Sequence, residues 1–497
     1  MFALFSASSA SSGRGRSTVR RIAAVTAVTG LVATGALTGA GAAVASDGVS
    51  HTGGAVATLA GLKVHDYALL HTPGDKEPFR MAAGLFELTG GGTFKTYCID
   101  LHNPTEDGTK YQETPWDQSV LNKNPEAGKI RWILQNSYPK VDDLAALAEA
   151  AKSGPLTEKT AAAGTQVAIW RYSDKADVTA ADENAGKLAD YLYEKAQNLA
   201  EPKPSLKVDP HAVSGKPGSR IGPVTVTTDA PPAAKVGLTL SSEGTVAGVK
   251  IVDKAGKPVT TAVNGDKVYF EVPADAPDGR AELTASVTTQ VPVGRAFAPQ
   301  VGTSQTMILA GSSTSEVFAS AAVVWAKTGP VPAVTFQENC DKGGVDVTAA
   351  NKGDAPFTFT LAGKEYTVPA GGSKTVTVPV AEDQPYDITI TGPNDFKETF
   401  KGVLDCETSG KPVEPKPSSE PTPNSAGGTG TGGGDASTGS TGGSTGTTGA
   451  ATTTGGGLAA TGGSSATPVI AGVAVALVAL GGGAVFFLRK KKAAAGE

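Results

Sequence analysis

The chain has 497 residues, 43 basic against 48 acidic side chains, and a net charge of -5. That length holds about two to four domains. The near balance of charge leaves no footprint for nucleic acid. Five scattered histidines make no ligand cluster for a metal, and cysteine is scarce, at Cys98, Cys340 and Cys406.

Arg14, Arg16, Arg20 and Arg21 form a basic region, Ile22 to Ala42 is apolar and small, and Ala43-Val44-Ala45 supplies a small-x-small cleavage site. Residues 1–45 therefore read as a secretory signal peptide, with the mature chain starting at Ser46. A retained membrane anchor is the competing reading; the glycine and threonine content and the small-residue site argue against it. Removal of the signal places the rest outside the cytoplasm, where a disulfide persists.

Residues 55–204 are mixed. Strand-like stretches cover Gly61–Leu70, Gly84–Leu88 and Thr93–Leu101, and helical stretches cover Glu126–Gln135, Asp142–Ala151, Thr157–Tyr172 and Ala180–Leu199. Strands first and helices after predict an α+β head. Two polar groups stand out in it. Tyr97, Ile99 and Leu101 alternate with Cys98, Asp100 and His102, which puts an unpaired thiol on the side of a strand away from its apolar face. Gln166 shares a helical face with Ala162, Ala163, Ile169 and Trp170. A carboxamide in an apolar stripe costs about a few kcal/mol to bury without partners.

Residues 205–328 lose helical periodicity. Short alternating runs such as Lys267–Val272 and Ala281–Val287 are separated by turns such as Asp275-Ala276-Pro277-Asp278-Gly279, which predicts a β-sandwich. Residues 331–407 repeat the pattern in a smaller second sandwich, opened by Cys340 and closed by Cys406. A disulfide between these two would pin the first and last strands, and closing so long a loop stabilises by about 4 kcal/mol in the chain-entropy picture. Two free buried thiols are the alternative.

From 408 to 457 the composition falls to Pro, then Gly, Ser and Thr, which cannot bury enough apolar surface to fold. Its Pro-rich start is stiff and its Gly-rich end flexible, as in a disordered stalk. Residues 458–497 follow: Leu458-Ala459-Ala460-Thr461-Gly462, an apolar run from Val469 to Leu488, and the basic Arg489-Lys490-Lys491-Lys492. The run is long enough for a transmembrane helix, and the basic tail marks its cytoplasmic end.

Two stretches carry a family resemblance. Tyr97-Cys98-Ile99-Asp100, followed by Thr165-Gln166-Val167-Ala168-Ile169-Trp170, resembles the thioester domain of Gram-positive surface proteins, over roughly Ala55 to Pro204. In that family the corresponding Cys and Gln condense to an internal thioester, so the resemblance implies that bond between Cys98 and Gln166, with no cofactor. The order of motif, apolar span and basic tail resembles a cell-wall sorting signal of the Leu-Ala-x-Thr-Gly type, in which sortase cuts after Thr461 and joins it to peptidoglycan. A plain membrane anchor competes with this.

Together these features imply a multidomain chain: a thioester head, two all-β immunoglobulin-like sandwiches, a disordered stalk and a C-terminal transmembrane helix that is transient. The implied function is a non-enzymatic, wall-anchored adhesin attaching covalently to amines on a target surface, protein lysines among them. The thioester needs shielding from water, and Tyr97, Trp116 and Trp170 have the bulk for it; the donor to a developing oxyanion is not identifiable from sequence. Two other classes compete. Cys98, Asp100 and His102 suggest a cysteine hydrolase, but alternate strand residues stand about 6.6 Å apart, too far for direct relay. The blander alternative is a noncovalent adhesin or passive wall spacer with Cys98 unmodified. An intramolecular isopeptide bond in 205–328 lacks support, since Ser304 to Lys327 has no Asn or Asp.

Overall fold

The computed structural model describes residues 53–408 apart from position 395, all within one compact unit. The signal peptide, the stalk beyond 408, the motif Leu458–Gly462 and the expected transmembrane run lie outside the described residues. Among the described residues no helix is long and apolar enough to cross a membrane.

The head contains β1 (Val56–Leu70), β2 (Phe79–Thr89), β3 (Thr93–Cys98), β4 (Lys110–Thr114), α1 (Ala127–Gln135), α2 (Leu144–Ala150), α3 (Glu158–Ser173), β5 (Val178–Ala180) and α4 (Glu183–Lys195). The four expected helices are present. Three of them start where side chains cap them: Asp143 accepts from Ala146 N, Asp182 from Ala185 N, and Thr157 exchanges bonds with Thr160 in a reciprocal capping box.

The next segment contains β6 (Leu206–Asp209), β7 (Ala212–Gly215), β8 (Arg220–Thr228), β9 (Val236–Leu240), α5 (Ser242–Val246), β10 (Lys250–Val252), β11 (Thr261–Ala262), β12 (Lys267–Glu271), β13 (Gly279–Gln290), β14 (Ala296–Pro299), β15 (Met307–Ser312) and β16 (Thr314–Trp325). Most of these strands form two sheets, ordered β10-β12-β8-β6 and β11-β9-β13-β16-β7. The hairpin β14–β15 does not. It joins the head, giving the order β2-β3-β15-β14-β4-β1-β5, and β1 also pairs with β2. Six antiparallel strands thus close into a barrel, with β5 added outside β1. Closure leaves no open edge among the six. The closing strand, β1, breaks register with β2 at Leu59/Gly61 and Leu62/Val64. Such bulges bend a strand, and the bent β1 reaches β4 at Val56–Thr58 and β2 along the rest.

The hairpin is part of the barrel's core. Phe297, Met307, Ile308 and Leu309 are all fully buried, and such side chains contribute about 1.5–3 kcal/mol each before entropy is counted. A buried ion pair fixes it: Arg295 Nε donates to Glu113 Oε1 at 2.8 Å, and the Arg295 Nη1 reaches Glu201 and the Pro202 carbonyl. Glu113 also accepts from Ala55 N, Ser205 N and the Ser205 hydroxyl. One carboxylate on β4 therefore ties together the start of the head, the start of the next segment and the hairpin.

The remaining strands are β17 (Pro332–Asn339), β18 (Gly344–Asn351), β19 (Phe357–Leu361), β20 (Lys364–Val368), β21 (Ser373–Pro379), β22 (Gln384–Thr391) and β23 (Lys397–Leu404). They form sheets β17-β18-β21 and β20-β19-β22-β23 around a core of their own that includes Val345, Phe357, Phe359 and Ile390. Cys340 follows β17, Cys406 follows β23, and the two are disulfide-bonded.

Candidate functional site

Cys98 is the last residue of β3. Opposite it on β15 stands Met307, and Ile99 N donates to Thr306 O across that same seam. Main-chain groups alternate sides along a strand, so Cys98 N–H and C=O face the other edge, toward β2. The β2–β3 ladder, however, runs only from Thr89↔Thr93 to Phe86↔Thr96. The vacant rung is filled by a side chain: Cys98 N donates to Gln166 Oε1 at 3.0 Å, and Gln166 Nε2 donates to Cys98 O at 2.8 Å. The carboxamide imitates the next residue of a strand, which satisfies both its polar ends.

Gln166 is delivered by α3, which lies against β1, β2 and α4. Every residue from Ala161 to Trp170 is buried. The apolar-stripe reading therefore gives way: a helix apolar all round is one surrounded by protein. Gly164 sets its depth, because a Cβ there would stand 2.5 Å from Ala185 O on α4. Thr165 returns its hydroxyl to Ala161 O at 2.8 Å, so it places no unsatisfied group beside Gln166.

The thiol is not outward-facing, as strict alternation suggests. Cys98 is fully buried: it shares its face of β3 with the buried Phe94 and Thr96, and Tyr97 on the opposite face is buried as well. Sγ donates to Asp100 O at 3.0 Å and Asp100 N donates to Sγ at 3.3 Å. Burial pushes the thiol's pKa well above its ordinary value, and the nearby Asp174 and Asp100 push it in the same direction. Asp174 caps the C-terminus of α3 and accepts from Leu101 N at 2.8 Å and from the Ser173 hydroxyl. Burial raises its carboxyl to about 7.

Of the expected shields, Tyr97 and Trp170 are fully buried, and Tyr97 Oη donates to Tyr138 O. The Trp170 indole N–H lies close enough to the sulfur to favour a thiolate slightly, yet it makes no hydrogen bond of acceptable geometry. Trp116 is used elsewhere: its indole N–H donates to Gly294 O, beside the inserted hairpin. The hydrolase arrangement is not assembled. The Asp100 carboxylate takes the His102 main-chain N–H and the Asn103 amide, while His102 Nδ1 is buried without a partner.

Sequence reasoning had no donor for the carbonyl oxygen. The structure supplies one in Cys98's own N–H, 3.0 Å from Gln166 Oε1. A main-chain donor carries no side-chain signature, so no motif advertises it. Fixed N–H donors at a carbonyl oxygen stabilise negative charge as it develops there, and more so in a dry site. The arrangement thus holds an electrophilic carbon and a sulfur on neighbouring groups, sealed from water.

Residues 95–198 match the family model described as Thioester domain, and the matched stretch contains both Cys98 and Gln166. The head carries a thioester domain. Residues 332–403 match the model described as Bacterial phospholipase C, C-terminal domain; that stretch is the last sandwich and includes neither site residue. Among solved structures, the Bacillus anthracis TIE protein is 16% identical over 72% of this chain and 82% of its own, with a TM-score of 0.25. The thioester domain of the Enterococcus faecium TIE86 protein is 16% identical over 55% of this chain and 97% of its own, with a TM-score of 0.26. Superposition that poor carries no argument about geometry. No curated protein matches the chain. The thioester-domain match begins within β3, so β1, β2 and the inserted hairpin lie outside it.

Proposed function

We propose that Cys98 and Gln166 form an internal thioester, and that the thioester domain uses it to attach covalently to amines on a target surface. In the first step Cys98 Sγ bonds to Gln166 Cδ, the Cδ–Nε2 bond breaks, and the thiol proton leaves with the nitrogen as ammonia. In the second an amine attacks the same carbon. An amide forms, the carbon–sulfur bond breaks, and the amine's proton passes to the sulfur.

The observation that carries the reading is the paired hydrogen bonding of the Gln166 carboxamide to the Cys98 main chain. It holds the amide beside the sulfur-bearing residue and polarises its carbonyl. The environment also favours a long-lived bond. A thiol whose pKa is raised is a poor leaving group, and a fully buried centre excludes water, the competing nucleophile. In this reading the chain is exported and sorted through Leu458-Ala459-Ala460-Thr461-Gly462. Sortase joins Thr461 to peptidoglycan, the membrane run serves only the precursor, and the sandwiches and stalk carry the head outward. The partner class is a primary amine, with protein lysine as the commonest source.

Intact mass tests the first step. The freshly purified mature chain is expected to weigh one ammonia less than its sequence with the Cys340–Cys406 disulfide formed, and methylamine is expected to add to it. Neither change is expected in Cys98→Ala or Gln166→Ala. A wild-type mass equal to that of the disulfide-bonded mature sequence, with no methylamine adduct, leaves a noncovalent adhesin or a passive spacer.

A further inference from the structure

The other concentration of unused chemistry lies where the last sandwich meets the loop after β3. Glu382, Asp383 and Asp405 each offer a carboxylate oxygen, and these atoms lie within 4.8 Å of one another. Two oxygens bound to one calcium ion at about 2.4 Å can stand at most about 4.8 Å apart, so the spacing is that of ligands sharing an ion.

A second observation concerns one oxygen. Asp405 is 3% exposed, its Oδ2 takes the Thr306 hydroxyl, and its buried Oδ1 has no hydrogen-bond partner. A buried, unsatisfied carboxylate oxygen is costly, and the charged groups facing it make matters worse: Asp100, Asp383 and Glu382 all carry the same sign. Among the described residues, none of these four forms an ion pair with Lys or Arg. Partial relief comes from Asn103, whose Nδ2 donates to Asp100 Oδ2 and to Asp383 Oδ1 at 2.8 Å each, and from the N–H groups of Cys406 and Glu407 on Glu382 Oε1. No group in that set brings positive charge.

We propose that Glu382, Asp383 and Asp405 bind a hard divalent cation, calcium. An oxygen-only ligand set selects a hard ion, and calcium accepts irregular geometry completed by water where magnesium demands a near-ideal octahedron. Glu382 and Asp383 are only partly buried, so the ion has a way in. Once bound, it joins the start of β22 and the end of β23, and Asp383 carries that connection through Asn103 to Asp100, two residues past Cys98. The inference does not depend on a thioester being present.

The test uses the mature full chain stripped with chelator, titrated calorimetrically with calcium chloride or magnesium chloride and melted with and without each salt. One saturable calcium site per chain is expected, at about millimolar affinity or tighter, with a higher melting temperature and a weaker response to magnesium. Asp405→Asn keeps the shape and removes one ligand charge. It is expected to weaken calcium binding by about tenfold or more, while its metal-free form melts no lower than metal-free wild type. Asp383→Asn, at the more exposed position, is expected to weaken binding as well. Wild type that shows no calcium heat and no shift, but is stabilised by acid where Asp405→Asn is not, would mean a proton occupies the site and would overturn the proposal. An equal calcium effect in wild type and both variants would also overturn it.

Discussion

The head and the last sandwich treat sulfur and sequence in opposite ways. In the last sandwich all seven strands come from one continuous stretch and surround their own core. Its two cysteines, one just after the first strand and one just after the last, meet in a disulfide. The head's barrel is completed by a hairpin whose anchor, Arg295, lies 182 residues after the carboxylate holding it, Glu113, and its cysteine is free of any disulfide, buried against a carboxamide. A disulfide stabilises by restricting the unfolded chain. A lone buried thiol places no such restriction on the unfolded chain.

The sharpest way to break this contrast is to cut the chain. A fragment ending at Pro204 loses β14 and β15 and leaves β3 and β4 as open edges. It is expected to fail to fold cooperatively, as read by thermal melting and near-ultraviolet dichroism, while a fragment covering 331–407 melts as a unit. A 55–204 fragment with a cooperative transition would show that the hairpin decorates the barrel without closing it.

Next in size is the Glu113–Arg295 pair. Arg295→Ala leaves a buried carboxylate without its cation, and breaking a buried pair from one side costs about 3–5 kcal/mol. Denaturant unfolding should register that loss. Glu113→Gln with Arg295→Met, which removes both charges, is expected to recover a large part of it. Cys340→Ser with Cys406→Ser is expected to cost about 4 kcal/mol, confined to the last sandwich. The mass and methylamine reactivity of the head should be unchanged, because no bond of Cys98 depends on that disulfide.

What the sequence revealed follows the same division. Helices α1 to α4 and the strand runs of the last sandwich were legible because their periodicity and caps are local. The pairing of Cys98 with Gln166 was suggested by motif resemblance; in the fold the Gln166 carboxamide is hydrogen-bonded to the Cys98 main chain. The hairpin at 296–312 was not legible. Its strands read like those around them, and nothing local tells a strand which sheet it will join. The burial of Cys98 was also missed, because β3 is covered on both faces at this end, Tyr97 and Cys98 alike, and alternation alone names only one face as the inner one. Trp116 shows the limit of inference from bulk: a large ring near the head's motifs serves the hairpin instead.

The smallest expected effect probes the electrostatics around the sulfur. Asp174 has an ordinary pKa of 3.8, and burial raises it to about 7 in the fold. Between those values the folded chain holds a proton that the unfolded chain has released. The stability it contributes is therefore complete below about pH 4 and is lost as pH rises through about 7. Glu338, raised to about 7 by its own burial, titrates in the same window, so the informative quantity is the difference between variants. Asp174→Asn should flatten part of the fall in melting temperature between pH 4 and 7 and leave the share of Glu338 in place. The same substitution removes a negative charge that holds the Cys98 thiol's pKa up. Its thiolate then becomes a better leaving group, and a thioester at that position should hydrolyse faster than in wild type above about pH 7, where wild-type Asp174 is ionised. Timed intact-mass measurements at pH 6 and pH 8 would read this directly. Equal hydrolysis rates in wild type and Asp174→Asn at pH 8 would mean that burial alone governs the sulfur.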